Sequence, residues 1–346
     1  MVVLAELAFS TSDLAQVRFA VSPMWEVAPS FRLLRSATTH PVHRPWADQV
    51  RPRLVAAGLD RGWLCELILP TGGYVPDFLN PAPAGPAPTP AAERDAIRAA
   101  PADRVRQDLD HLARHQGTLG PRLRALHNDP QGLLAKVTEE IETYWELALA
   151  PYWARIRAVL DADILYRARL AAEHGTGHLL NDLHTSMSWD NNALRMSHRK
   201  QPLTRTTAGT GLLLIPSAFT GPGVRTRTTP PDPPQLAYQA RGVGSLWQAR
   251  PVMRADTLSA VLGRSRTLLL SELEIPASTT QLAHRTGLSP AGVSQYLTAL
   301  RNAGLVSAHR AGRSVLYART TAAETLLQAA FARPHVDPRR TSGADH

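Results

Sequence analysis

The sequence predicts an α+β fold, on three observations. Residues 91–183 carry apolar side chains at helical spacing almost throughout. After Thr185 the period shortens to two, as in strands. Beyond residue 250 helical signals return and then give way to a short β-prone pair. The expected architecture is a mainly helical N-terminal domain with a small antiparallel sheet over residues 1–250. A compact C-terminal domain over 251–332 and a polar, disordered tail over 333–346 follow. The 346 residues are ample for two cores.

Taken in order, residues 2–9 read as a strand, and Ser12-Asp13 read as the cap of a helix reaching Phe19. An amphipathic segment from Met24 to Leu34 is interrupted by Pro23 or Pro29, and Trp46 begins another helix to about Ala57. Residues 72–90, with the Pro-rich connector at 80–90, read as extended, polyproline-like chain. Tyr74, Val75, Phe78 and Leu79 favour a strap over a surface. Ile141, Tyr144, Trp145 and Leu149, continued by Tyr152, Trp153, Ile156 and Leu160, make a stripe that reads as core or as the lining of a cavity for an apolar ligand. Glu139, Glu140 and Glu142 read as a solvated helix start. Met187 to Met196 reads as a hairpin turning at Asp190-Asn191-Asn192. Residues 211–216 and 236–238 read as further strands.

The stretch from 278 to 320 carries the most coherent set of local signals. Ser278 followed by Gln281 is a capping-box pattern, and Gly287 is a helix stop. Ser289 with Pro290 opens a second helix, along which Val293, Leu297 and Leu300 repeat at helical spacing. Asn302-Ala303-Gly304 ends it. Leu305-Val306 and Val315-Leu316-Tyr317 form two strands joined across Arg310 to Arg313. Helix, tight turn, helix and hairpin make a winged helix-turn-helix, a DNA-reading architecture. Asp256 to Leu273, with Leu258, Leu262, Leu269 and Leu273 along one face, reads as one preceding helix, and residues 321–331 as a closing one.

From Ser289 to Thr320 the sequence has no Asp or Glu. A face without carboxylates avoids repelling phosphate. Ser289, Ser294, Gln295 and Thr298 are short or amide side chains suited to base edges, and Ala291 keeps the helix slim where it would enter the major groove. Arg310 and Arg313, at the hairpin tip, suit phosphate or the minor groove, and Thr280, Arg301 and His309 complete the expected DNA-binding set. The expected partner is double-stranded DNA.

This segment resembles the DNA-binding domain of the ArsR-type winged-helix repressors. The residues that carry the resemblance are Leu288-Ser289, Val293 to Leu297, Leu300, Ala303 to Val306, Arg310, Gly312-Arg313 and Tyr317. It covers about residues 255–330. Family members usually have His where Tyr296 stands, and the metal-sensing members hold a cysteine pair absent here. The resemblance implies DNA binding, a homodimer joined through the helices flanking the reader, and transcriptional control without that metal site. The whole chain also resembles actinobacterial regulators with a long N-terminal domain of unknown function, through residues 74–79, the Trp189-Asp190 hairpin and residues 211–217.

Charge and motif content narrow the alternatives. Lys and Arg number 38 against 29 Asp and Glu, and the net charge of +9 favours polyanion partners. Cys65, the sole cysteine, excludes an intrachain disulfide and reads as a small buried hydrophobe. No export signal or membrane-length apolar run is legible, so the expected location is cytoplasmic. His174 and His178 stand at i, i+4 with Asp182 and His184 beyond, but Gly175 and Gly177 weaken the helix that a metal site needs; no metal or cofactor is expected. No catalytic motif is present, and the chain reads as a non-enzymatic regulator, a repressor. The N-terminal domain is expected to sense a small apolar ligand or a protein partner. The alternative is an N-terminal enzyme or protein-docking module fused to a DNA-binding domain.

Overall fold

The computed structural model describes residues 3–36, 41–70, 74–190, 193–199, 210–248, 255–311 and 314–331. The chain divides into two compact units, Met1–Gln248 and Ala249–His346. The expected boundary at 250–251 and the tail over 333–346 lie outside the described residues.

The first unit begins with β1 (Val3–Ala8), α1 (Thr11–Ala15) and β2 (Val17–Phe19). The cap of α1 is Ser10, not Ser12-Asp13. Ser10 Oγ accepts the Asp13 N–H at 3.2 Å and the Asp13 carboxylate accepts the Ser10 N–H at 2.8 Å. The helix stops at Ala15 because Val17 to Phe19 pair in parallel with Leu212 to Leu214. α2 (Met24–Arg35) runs through Pro29 without interruption. An interior proline costs about 3 kcal/mol. Burial of Met24, Val27, Phe31 and Leu34, at about 1.5–3 kcal/mol each, outweighs it.

α3 (Arg44–Ala56) and the short α4 (Trp63–Leu67) follow. Residues 74–89 are not extended throughout as expected, since Asp77–Leu79 form a 3-10 turn, and the segment is packed against the unit. Phe78 and Leu79 are buried, and the Pro86 carbonyl accepts the Val21 N–H at 2.9 Å. Then come α5 (Pro90–Arg98), α6 (Ala102–Gln116), α7 (Pro121–Asn128) and α8 (Pro130–Tyr144). The acidic trio lies deep in α8 rather than at its start. Glu140 accepts the N–H groups of Trp63 and Leu64 at 2.7 and 2.8 Å, capping α4 from outside, and Glu142 pairs with Arg94 at 2.7 Å. A π-helical turn, Trp145–Leu149, and a 3-10 turn lead into α9 (Trp153–His174). Tyr144, Leu149, Ile156 and Leu160 are fully buried in the main core.

Gly175, at φ +85°, separates α9 from α10 (Thr176–Asp182). His174 and His178 therefore stand on either side of a break. Asp182 is engaged by Arg167 at 3.2 Å. β3 (Met187–Asp190) and β4 (Ala193–Arg199) form the expected hairpin, and with β1 they make an antiparallel sheet of order β1-β4-β3. β5 (Leu212–Ser217), β6 (Arg225–Arg227) and β7 (Gln235–Gln239) join β2 in a second sheet of order β2-β5-β7-β6. In it β2, β5 and β7 are parallel and β6 is antiparallel to β7.

At its end the chain of this unit is fastened. Tyr238 donates to Asp163 Oδ2 of α9 at 2.8 Å, and the Arg241 N–H reaches Asp163 Oδ1 at 3.0 Å. Trp247 donates to His43 Nδ1 at 3.0 Å, and Arg155 donates to the Gln248 carbonyl.

The second unit comprises α11 (Ala255–Leu262), α12 (Arg264–Glu272), α13 (Thr279–Thr286), α14 (Pro290–Asn302), β8 (Val306–Ala311), β9 (Ser314–Arg319) and α15 (Thr321–Phe331). Residues 256–273 are thus two helices, not one. Gly263 sits at φ +83°, a conformation that no continuous helix contains. Leu258 of α11 and Leu327 of α15 bury against each other. Leu269, Leu273, Leu282, Val293, Leu297 and Leu300 form this unit's core with Val306.

Candidate nucleic-acid interface

The capping signals read from the sequence are made in the structure. Ser278 Oγ accepts the Gln281 N–H at 3.3 Å, and Gln281 Oε1 accepts the Ser278 N–H at 2.9 Å. Gly287 closes α13 at φ +71°. Ser289 Oγ accepts the Gly292 N–H at 3.2 Å and so opens α14. These contacts fix the angle at which α14 leaves the turn.

Val293 and Leu297 are fully buried and Leu300 nearly so. That side pins α14 to the core, and the opposite face is left to solvent. Ser289, Ala291, Ser294, Gln295, Thr298 and Arg301 are all exposed there. Thr298 donates its hydroxyl proton to the Ser294 carbonyl at 2.9 Å, which leaves its oxygen free only as an acceptor. The structure therefore brings together on one helix face the residues expected to read base edges.

β8 and β9 form an antiparallel hairpin in which Arg310 stands opposite Val315. Arg310 is exposed, and His309 is half-buried with Nε2 2.8 Å from Ser307 Oγ. Arg313, expected at the hairpin tip, lies outside the described residues. At the hairpin's other end Arg319 donates to the carbonyls of Leu270 and Ser271, both at 2.6 Å, and pairs with Glu324 at 3.5 Å. The wing is thereby tied to the end of α12.

Thr280 is exposed on α13, where Gln281, His284 and Arg285 join it around a shallow depression. Gln281 was expected only as a cap partner, and His284 and Arg285 carried no expectation. With Thr280 they stand at i, i+1, i+4 and i+5, which was the available signal, since it marks one polar face of a helix.

Two helices joined by a tight turn, a slim and carboxylate-free second helix and a basic hairpin define a DNA-binding transcriptional regulator of the winged helix-turn-helix class. Residues 267–308 match the family model described as bacterial regulatory protein, arsR family. The HTH-type transcriptional regulator NmtR of Mycobacterium tuberculosis is 39% identical over 85 residues, a stretch that is 24% of this chain and 71% of that protein. The chain belongs to the arsR family. Residues 96–244 match a family of unknown function, DUF5937. No solved structure matches the chain. No helix among the described residues is long and apolar enough to cross a membrane.

Proposed function

We propose that the protein is a repressor that binds a pseudo-palindromic operator as a homodimer and is controlled through its N-terminal unit. The observation that carries this reading is the exposed face of α14, polar at every turn and free of carboxylates. Ser289, Ala291, Ser294, Gln295 and Thr298 meet base edges in the major groove. Thr280 and Arg301 hold phosphates, and His309, Arg310 and Arg313 of the wing hold phosphate or the neighbouring minor groove. Gln281, His284 and Arg285 extend the phosphate contacts along α13.

Control follows from linkage. A ligand or partner that binds the N-terminal unit differently in the two DNA-binding geometries shifts operator affinity by that difference. The test is a mobility shift across a salt series, using DNA upstream of the protein's own gene with random DNA as competitor. A complex that survives competitor and weakens steeply with salt supports the reading. Equal affinity for both DNAs, with and without host extract, would sink it.

A further inference from the structure

Side chains alternate across a strand. Arg225 and Arg227 of β6 thus share one face of the second sheet with Ala237 and Gln235, their partners on β7. α2 covers this face. Its Trp25 indole N–H donates to Gln235 Oε1 at 2.8 Å, and the ring packs with Ile215 and Ala237. Two turns further along α2, Arg32 is near enough to Arg225 for the two charges to repel.

This row holds more donors than acceptors. The Arg227 side chain is 2% exposed, and its Nη2 reaches Asp232 Oδ2 at 2.7 Å. Its Nε and Nη1 are buried with no acceptor, as are Gln235 Nε2 and Arg32 Nη2. Arg32 spends Nε on the Leu69 carbonyl at 2.9 Å. Arg225 has no ion-pair partner among the described residues. Burial holds the Arg32 pKa at about 10, with Arg225 adding to the shift, and burial lowers that of Arg225 too. Arg225 is nonetheless exposed by surface area, so a solute can reach the outer end of the row.

The nearby carboxylates are committed elsewhere. Asp232 also takes Arg104 at 3.1 Å, Asp77 accepts the Thr229 hydroxyl at 2.6 Å, and Asp108 accepts the Tyr74 hydroxyl at 2.6 Å and the Phe78 N–H at 2.7 Å. Asp77 and Asp108 act on Arg227 only through space, and burial raises the pKa of both, that of Asp108 to about 6. Buried donors without acceptors are costly, and a buried cation without a full set of partners more so.

We propose that this row binds the oxyanion of a small molecule, a carboxylate or a phosphate group, which enters beside Arg225 and Arg32 and is held at its inner end by Arg227 and Gln235. Planar guanidinium forks suit both anions. The site gives a chemistry to the ligand in the sensing reading above, and it rests on that reading only for its effect on DNA.

Calorimetric titration of the full-length protein with sodium phosphate, sodium acetate and sodium benzoate, at ionic strength held constant with sodium chloride, tests the site. Saturable binding of at least one probe is expected, at least about tenfold weaker in Arg225→Gln and in Arg227→Lys. The responding probe tells carboxylate from phosphate. Arg225→Gln changes an exposed side chain, so its result stands even where Arg227→Lys fails to fold. Binding of none of the three probes beyond chloride, or binding that Arg225→Gln leaves unchanged, overturns the proposal. The bound probe is then added to the operator mobility shift. Unchanged DNA affinity with intact anion binding overturns the sensing reading and leaves the site standing.

Discussion

Glu26 and Ser217, 191 residues apart in sequence, meet in the interior of the N-terminal unit, where the Ser217 hydroxyl donates to Glu26 Oε2 at 2.8 Å. The same carboxylate accepts the N–H groups of Ala218 and Phe219 at 2.8 and 3.2 Å, so it closes the turn that follows β5. Burial lifts its pKa from 4.5 to about 7 in spite of these bonds, and Glu93 is lifted likewise. A carboxyl that holds its proton more tightly folded than unfolded contributes stability that is complete below pH 4.5. That contribution is lost as the pH rises through 7. Denaturant midpoints of the N-terminal unit are therefore expected to fall between pH 5 and pH 8, and Glu26→Gln to flatten the slope. An unchanged slope in that variant would refute the assignment.

On α14 and the wing, Gln295 and Arg310 are expected to fail in different ways. Gln295→Ala should relax base preference by about 1–3 kcal/mol at one operator position. Arg310→Ala should weaken operator and random DNA alike and reduce the salt slope by about 0.9. Mobility shifts on both DNAs at several salt concentrations separate the two outcomes.

Ser289 caps α14 and lies on the exposed face proposed to meet DNA, so two tasks are expected of it. Ser289→Ala should cost about 1 kcal/mol of stability in the C-terminal unit. Ser289→Asp keeps the cap but sets a negative charge on the reading face. Thermal melts should therefore show Asp near wild type, while DNA binding falls below that of the Ala variant.

Arg319 is held at 8% side-chain exposure between the Leu270 and Ser271 carbonyls and Glu324. Arg319→Ala removes the cation 3.5 Å from the buried Glu324 together with two hydrogen bonds to the end of α12, and should destabilise the C-terminal unit by about 3–5 kcal/mol. Arg319→Ala combined with Glu324→Gln should recover part of the loss in a chemical denaturation series.

The helix-turn-helix was legible because its determinants are local. Ser278 with Gln281, Gly287 and Ser289 each act within four residues, and each makes the contact its type suggests. Gly263 was equally local, but the leucine spacing around it pointed to one helix and masked the break. The second sheet was only partly legible. β5 and β7 stand out as apolar runs, whereas β2 is three residues long and finds its partner about two hundred residues later in the chain. Pro29 misled because a propensity of a few kcal/mol was weighed without the tertiary burial that α2 gains. The arginine row had no sequence signature. Arg225 and Arg227 become one surface only when β6 pairs with β7, and they become short of acceptors only when α2 covers them.

The fastened exit of the N-terminal unit has a mechanical consequence. Arg155 and Asp163 of α9 hold the Gln248 carbonyl and the Arg241 N–H, and His43 holds Trp247. Tyr238, whose strand carries Gln235 at its other end, bonds the same Asp163. A cord knotted at its root takes up movement at once, whereas a loose one first takes up slack. A shift of β7 would thus pull on groups bonded to the last described residues of this unit rather than on a slack chain.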